Sequence, residues 1–261
     1  MRYWLVMPAA GAGRRFGASL PKQYAQLMER SVIEWALAPF LADRRCAEAV
    51  VAVAPDDRHW TDIAPRLRAK AAPASGAGLP AVRAVTGGAQ RSHSVQLALA
   101  ALEGRAQAGD WVLVHDAVRP CLDVADLERL LAALAAHPLG GLLAAPVADT
   151  FKRAAPAAAS AATADPPAVS QTVERDGLWR ALTPQMFRYG RLCAALADAH
   201  AAGRTPTDEA QALEWQGEQP LLIEGAASNL KVTTAADLLL AAAVLQALRS
   251  GAQAGSGRDR P

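Results

Sequence analysis

Apolar runs and amphipathic stretches alternate along the chain and predict its elements. Tyr3 to Met7 is a short apolar run bounded by a Pro/Gly stretch, the pattern of a buried strand. Val32 to Leu41 reads as a helix with Ser31 as its cap. Ala49 to Ala54 is a second strand, and Asp56 to Lys70 a helix that Pro65 interrupts. Residues 71–80 are rich in Ala, Pro and Gly and read as a surface loop. A third strand, Ala81 to Val85, ends at Gly87-Gly88. Ser92 then starts a helix whose apolar positions Val95, Leu99 and Leu102 keep helical spacing. Trp111 to Val114 is a fourth strand. Asp123 caps a helix with Leu127, Leu130, Leu131 and Leu134 on one face, and Gly141 to Pro146 is a fifth strand. Helices follow at about 188–202 and 207–216, then a strand at Leu221 to Glu224. Thr234 and Asp237 open a last helix as a capping box, with Leu238, Ala241, Leu245 and Leu248 inward. Strands alternating with helices in this way predict an α/β fold around a mostly parallel, doubly wound sheet.

Residues 154–168 break the pattern. They are almost all Ala, Pro, Ser and Thr, and read as an exposed loop at the tip of an excursion from about 148 to 182. Residues 1–249 form a single domain in this reading, and 250–261 a frayed tail. Composition narrows the function. A net charge of only +2 argues against a general nucleic-acid surface. Cys46, Cys121 and Cys193 lie far apart with no Cys-x-x-Cys, which disfavours structural zinc and a disulfide framework and suits a reducing cytosol. The N-terminus enters a strand directly, without the pattern of a signal peptide. No uninterrupted apolar run of about 18 residues suggests a membrane span.

The candidate chemistry gathers at residues 8–24, PAAGAGRRFGASLPKQY. This loop leaves the carboxyl end of the first strand, where open α/β sheets bind ligands. Gly11 and Gly13 let bare N–H groups approach an anion, while Arg14, Arg15 and Lys22 add positive charge. Pro21 restricts where Lys22 points. A polyphosphate is the natural guest. The loop is not a Walker A motif, because no Gly-Lys-Ser/Thr triplet follows, and Gly17 comes one position too late for a dinucleotide fingerprint.

The same loop resembles the nucleotide-binding loop of the 2-C-methyl-D-erythritol 4-phosphate cytidylyltransferases. Later stretches agree in order: VHDAVRP (114–120), PVADTFKR (146–153), LWRALTPQ (178–185), TDEA (207–210) and NLKVTT (229–234). The likeness spans roughly residues 3 to 248. It implies a Rossmann-like nucleotidyltransferase fold with a protruding β-arm at the excursion, which packs around the partner subunit of a homodimer. It also implies transfer of CMP from CTP to a small phosphorylated polyol with release of pyrophosphate, in the non-mevalonate route to isoprenoid precursors. Some members carry a second enzyme at the C-terminus, for which this chain ends too early.

For that reaction the nucleophile is a phosphate oxygen, already anionic at neutral pH, so no general base is needed. Catalysis is positioning plus electrostatics, which calls for cations and magnesium. By resemblance, Arg15 and Lys22 stabilise the transition state, and Lys231 and Arg175 hold the acceptor. Asp116 binds Mg2+, as a hard oxygen ligand should. Ala9, Ala10, Gly11, Gly88 and Ser94 resemble ligands of the base and ribose. Arg119, Thr150, Thr183 and Thr207 resemble further substrate contacts.

Taken singly, each residue has a plainer reading. Asp116 begins a turn before Pro120, Lys231 is a solvated lysine, Arg175 pairs with Glu174 or Asp176, and Thr207 caps a helix. His115 has no second histidine at ligand spacing and reads as structural. Ala89 stands where relatives often have an acidic residue near the nucleotide, so a backbone contact survives there and a side-chain contact does not. The nearest rival is a ribitol 5-phosphate cytidylyltransferase, separable by testing each acceptor. A nicotinamide-dependent dehydrogenase is weakened by the misplaced third glycine. A non-catalytic nucleotide-binding subunit is weakened by the presence together of Arg15, Lys22, Asp116 and Lys231.

Overall fold

The computed structural model describes residues 1–11, 20–71, 80–156 and 166–256. Among these, the central sheet has seven strands in the order β11-β7-β10-β6-β1-β4-β5. They are β1 (Tyr3–Pro8), β4 (Cys46–Val53), β5 (Ala81–Thr86), β6 (Trp111–Val114), β7 (Gly140–Pro146), β10 (Trp179–Arg188) and β11 (Leu221–Glu224). Two short pairs stand apart: β2 (Gln26–Leu27) with β3 (Arg30–Ser31), and β8 (Phe151–Ala154) with β9 (Val169–Val173).

β1 pairs in parallel with β4 on one side and β6 on the other. The chain therefore winds outward from β1 through β4 to β5, then returns to β6 across β1. That reversal opens a crevice at the carboxyl ends of β1 and β6, the usual ligand position in open α/β sheets. β10 runs antiparallel to both β6 and β7, whereas β11 is parallel to β7.

Helices cover both faces of the sheet. On one side, α1 (Val32–Leu41), α2 (Arg58–Ala71) and α4 (Val124–Leu134) pack Ile33, Phe40, Ile63 and Leu130 against Leu5, Met7 and Val51. On the other, α3 (Arg91–Ala100), α5 (Tyr189–Ala201) and α6 (Glu209–Glu214) pack Val95, Leu99, Leu196 and Leu213 against Val6, Val50 and Val112. A smaller core joins α7 (Ala235–Ser256) to Leu27, Trp35 and Val118 through Ala241 and Leu245. Burying such side chains contributes about 1.5–3 kcal/mol each.

Several expectations shift. Pro65 does not interrupt α2, which runs through it. Pro65 and Thr61 both face solvent, so the carbonyl that loses its intrahelical donor is open to water. The helix expected over 207–216 is shorter, and its cap is Asp208, whose carboxylate accepts the Gln211 N–H at 2.9 Å, rather than Thr207. Residues 179–182, expected within the excursion, already belong to β10 of the main sheet. The hairpin β8–β9 is what projects. Its side chains are largely exposed, with Phe151 46% and Val169 62% accessible. The predicted loop tip falls largely on 157–165, outside the described residues. The helix expected to end near 249 continues to Ser256.

Candidate active site

A cavity of about 830 Å³ opens at the carboxyl ends of β1, β4, β5 and β6. Its rim is small residues, Ala9, Ala10 and Gly11 after β1 and Gly87, Gly88 and Ala89 after β5. Space explains two of the glycines. A Cβ on Gly87 would sit 2.6 Å from the Ala10 Cβ, and one on Gly88 2.6 Å from the His93 Cβ. The turn thus lies tight against both β1 and the start of α3. Ser94 fixes it, its hydroxyl accepting the Gly88 N–H at 3.1 Å. Gln23 is buried and braces the opposite wall, donating its amide to the carbonyls of Ala9 at 2.7 Å and Gly11 at 3.2 Å.

Asp116 lies on the cavity floor, in the turn that follows β6. The Arg119 N–H closes that turn on the Asp116 carbonyl at 3.0 Å. Behind it His115 is fully buried, and burial pushes its imidazole down to about 4, so it is neutral near pH 7. Its Nε2 lies 3.0 Å from the Arg119 carbonyl, which can only accept, so Nε2 carries the proton. Nδ1 then accepts the Thr183 hydroxyl at 2.9 Å, and the Thr183 oxygen accepts the Asp116 N–H at 3.2 Å. Each polar group in this chain has a partner, which fixes the Asp116 backbone to β10.

Lys231 reaches the floor from a loop that Asn229 ties down. Asn229 is fully buried, donates to the Thr183 carbonyl at 2.7 Å, and offers its own carbonyl to Arg119 Nη1 at 2.7 Å. The Val232 N–H adds a bond to the Val118 carbonyl at 2.8 Å. Lys231 Nζ thereby stands 2.9 Å from Asp116 Oδ2.

Asp116 has further cationic neighbours. Arg91 Nε donates to Oδ1 at 2.9 Å, and Arg119 Nε lies 3.6 Å from Oδ2. Burial alone would raise the Asp116 carboxyl, but Arg91, Lys231 and Arg119 outweigh it and hold the group well below the usual carboxylate range. The fork of Arg91 is also engaged, by both carboxylate oxygens of Glu209 at 2.7 and 3.1 Å. Burial would lower Arg91, but Glu209 and Asp116 reverse this and keep it charged. Lys22 lines the same cavity beside these groups. The arrangement offers cations and one anionic carboxylate to a polyanionic guest.

The family model for 2-C-methyl-D-erythritol 4-phosphate cytidylyltransferase matches residues 3–247. The chain belongs to this family. It is 51% identical over 253 residues to the 2-C-methyl-D-erythritol 4-phosphate cytidylyltransferase of Halorhodospira halophila, covering 97% of each chain. The Pseudomonas aeruginosa protein of the same name is 48% identical, over 91% of this chain and 93% of its own. A crystal structure of a 4-diphosphocytidyl-2C-methyl-D-erythritol synthase matches with a TM-score of 0.73 at 36% identity, over 94% of this chain and 98% of that one. The crystal structure of the Thermus thermophilus cytidylyltransferase matches at 0.69 and 30% identity, over 94% and 100% of the two chains. Family membership sets aside the dehydrogenase and the non-catalytic subunit.

Within this cytidylyltransferase domain the fold brings Ala9, Ala10, Gly11, Lys22, Gly88, Ser94, Asp116 and Lys231 to one cavity. Arg119 and Thr183 lie just behind its floor, buried, with their polar atoms turned to protein partners. Three other candidates are not among the residues that line the cavity. Thr150 is exposed at the base of β8, Thr207 is exposed with its N–H on Gln211 Oε1, and Arg175 follows β9 with its guanidinium on the Ala148 carbonyl. Arg15 lies outside the described residues, as do Gly13, Arg14 and Gly17. Sequence reasoning did not single out Gln23, Arg91, Glu209 or Asn229. Arg91 and Glu209 are 118 positions apart, so no local spacing relates them. The available signal was weaker: Glu209 within the TDEA stretch, and Arg91 shortly after Gly87-Gly88.

Proposed function

We propose that this chain transfers the cytidylyl group of CTP to 2-C-methyl-D-erythritol 4-phosphate, giving 4-diphosphocytidyl-2-C-methyl-D-erythritol and pyrophosphate. By family it is a cytidylyltransferase. The observation that carries the proposal is the cavity itself, a small-residue rim above a floor of Lys22, Arg91, Lys231 and Asp116. An acceptor phosphate oxygen forms the new bond to the α-phosphorus, and the bond to the β-phosphate oxygen breaks as pyrophosphate leaves. The attacking oxygen is already ionised, so no proton need be removed. His115 supports this, because it is buried and both its ring nitrogens are engaged. What the reaction requires is charge compensation at fixed positions. Arg15 and Lys22 supply it on the nucleotide side, and Lys231 on the acceptor side.

Magnesium fits this donor set. Among the described residues no group of at least three His, Cys, Asp and Glu forms a metal cage. Magnesium needs none, since it keeps waters and takes one or two carboxylates together with substrate phosphates. Asp116 is anionic and lines the cavity, and would hold the ion that arrives with CTP. When bound, the ion would offset charge on the phosphates.

The working unit is a homodimer in which the β8–β9 arm carries Arg175 and Thr150 toward the partner's cavity. The exposure of the arm and the absence of both residues from their own chain's cavity lining support this. The setting is the cytoplasm. No helix among the described residues is long and apolar enough to cross a membrane, and the described cysteines are free. The test is pyrophosphate release from CTP with methylerythritol phosphate and, in parallel, ribitol 5-phosphate. Preference for the second acceptor would reassign the substrate, and full activity in excess chelator would remove the ion.

A further inference from the structure

Glu209 is the carboxylate beside this site that the transfer chemistry does not itself require. It is 0% exposed. A carboxylate is costly to bury unless it is fully paired. It does not serve as the helix cap, because Asp208 already accepts the Gln211 N–H. Both of its oxygens are instead spent on the fork of Arg91, at 2.7 and 3.1 Å. That leaves Arg91 Nε for Asp116 Oδ1, at 2.9 Å. A guanidinium is rigid and planar, so turning Arg91 would break both bonds to Glu209. The other Asp116 oxygen, Oδ2, faces Lys231 at 2.9 Å and, more distantly, Arg119 Nε at 3.6 Å; the Lys231 side chain is 40% exposed and can withdraw when a ligand enters.

We infer that Glu209 is a positioning residue: acting through Arg91, it fixes the Asp116 carboxylate with Oδ1 held inside the protein and Oδ2 presented to the cavity for a hard cation. Two physical effects are involved. Glu209 pins the fork, which would otherwise swing round and cover both Asp116 oxygens. It also offsets part of the Arg91 charge, so that more of the Asp116 charge remains available to a cation. Both effects rest on the reading of Asp116 as the residue that meets the nucleotide-borne ion.

The test is calorimetric and needs no turnover. CTP is titrated onto the protein without acceptor, once with magnesium and once with chelator, and the readout is the ratio of the Kd in chelator to the Kd with magnesium. Glu209→Gln is expected to lower that ratio on the order of tenfold, the usual cost of removing a group that orients a metal ligand. Asp116→Asn, run in parallel, should lower it at least as far. A merely structural lesion would weaken CTP binding equally with and without magnesium and leave the ratio unchanged. If Asp116→Asn lowers the ratio and Glu209→Gln leaves it within roughly threefold of wild type, the positioning role is overturned while the reading of Asp116 stands. If Asp116→Asn leaves the ratio unchanged, the reading of Asp116 fails and this inference fails with it. Should Glu209→Gln not fold, Arg91→Lys decides. A lysine keeps the charge but cannot bridge both carboxylates, so the ratio should fall in the same way. An unchanged ratio there is equally fatal.

Discussion

Replacing Lys231 by Ala should separate catalysis from stability. The ammonium lies 2.9 Å from Asp116 Oδ2, yet its side chain is 40% exposed while that of Asp116 is 7% exposed. Water screens such a pair, and exposed ion pairs contribute about 0.2–1 kcal/mol. Asp116 keeps Arg91 and Arg119 after the change, so the upper end, about 1 kcal/mol, is a fair bound. For a domain of this size that corresponds to a fall of about 2–4 °C in Tm. The kinetic loss should be far larger. Removing one preorganised partner of a developing charge costs about 10²–10³-fold, or about 2.7–4 kcal/mol. Because Lys231 is assigned to the acceptor phosphate, kcat/KM for methylerythritol phosphate should fall more than the affinity for CTP. The assay is pyrophosphate release at saturating magnesium, paired with calorimetric unfolding. Turnover within about threefold of wild type would remove Lys231 from the transition state. A Tm fall beyond about 8 °C, with activity tracking the folded fraction, would make the lysine a structural residue.

Thr183→Val leaves the His115 Nδ1 and the Asp116 N–H without their buried partner, and should destabilise the fold by about 1–3 kcal/mol in urea unfolding; a negligible change would contradict the hydrogen-bond chain. The depressed Asp116 carboxyl stabilises the fold above its unfolded pKa, near 3.9, and that contribution is lost as pH falls toward its folded value. Below about pH 4, wild type should therefore lose stability more steeply than Asp116→Asn, and parallel acid-unfolding curves would show that the ion pairs contribute nothing. For the two-chain site, Lys22→Ala and Arg175→Ala homodimers should each be severely impaired. Mixed and allowed to exchange, they should recover up to about a quarter of wild-type sites, since a heterodimer has one doubly defective site and one intact site. Mass-verified heterodimers without recovered activity would place Arg175 in its own chain's chemistry or outside the site.

Most elements were legible because their signals are short-range. The apolar run Trp111–Val114, the Asp123 cap and the spacing of Leu127, Leu130, Leu131 and Leu134 each lie within a few residues, and the structure has the strand and helix there. The small-residue rim of the cavity was legible for a related reason: a backbone that must pass close to another chain segment admits only glycine, as at Gly87 and Gly88. Pairing partners carry no such local mark. Nothing in residues 179–188 says that they insert between β6 and β7 and reverse direction there, because that depends on which strand edges the rest of the fold leaves open. The floor of the cavity follows the same rule. Asp116 and Lys231 could be picked out as candidates from the stretches VHDAVRP and NLKVTT alone. That Arg91 and Glu209 meet behind Asp116 became visible only in the fold, because charges that must be buried find their partners in space, across 118 positions of chain, and leave no pattern along it.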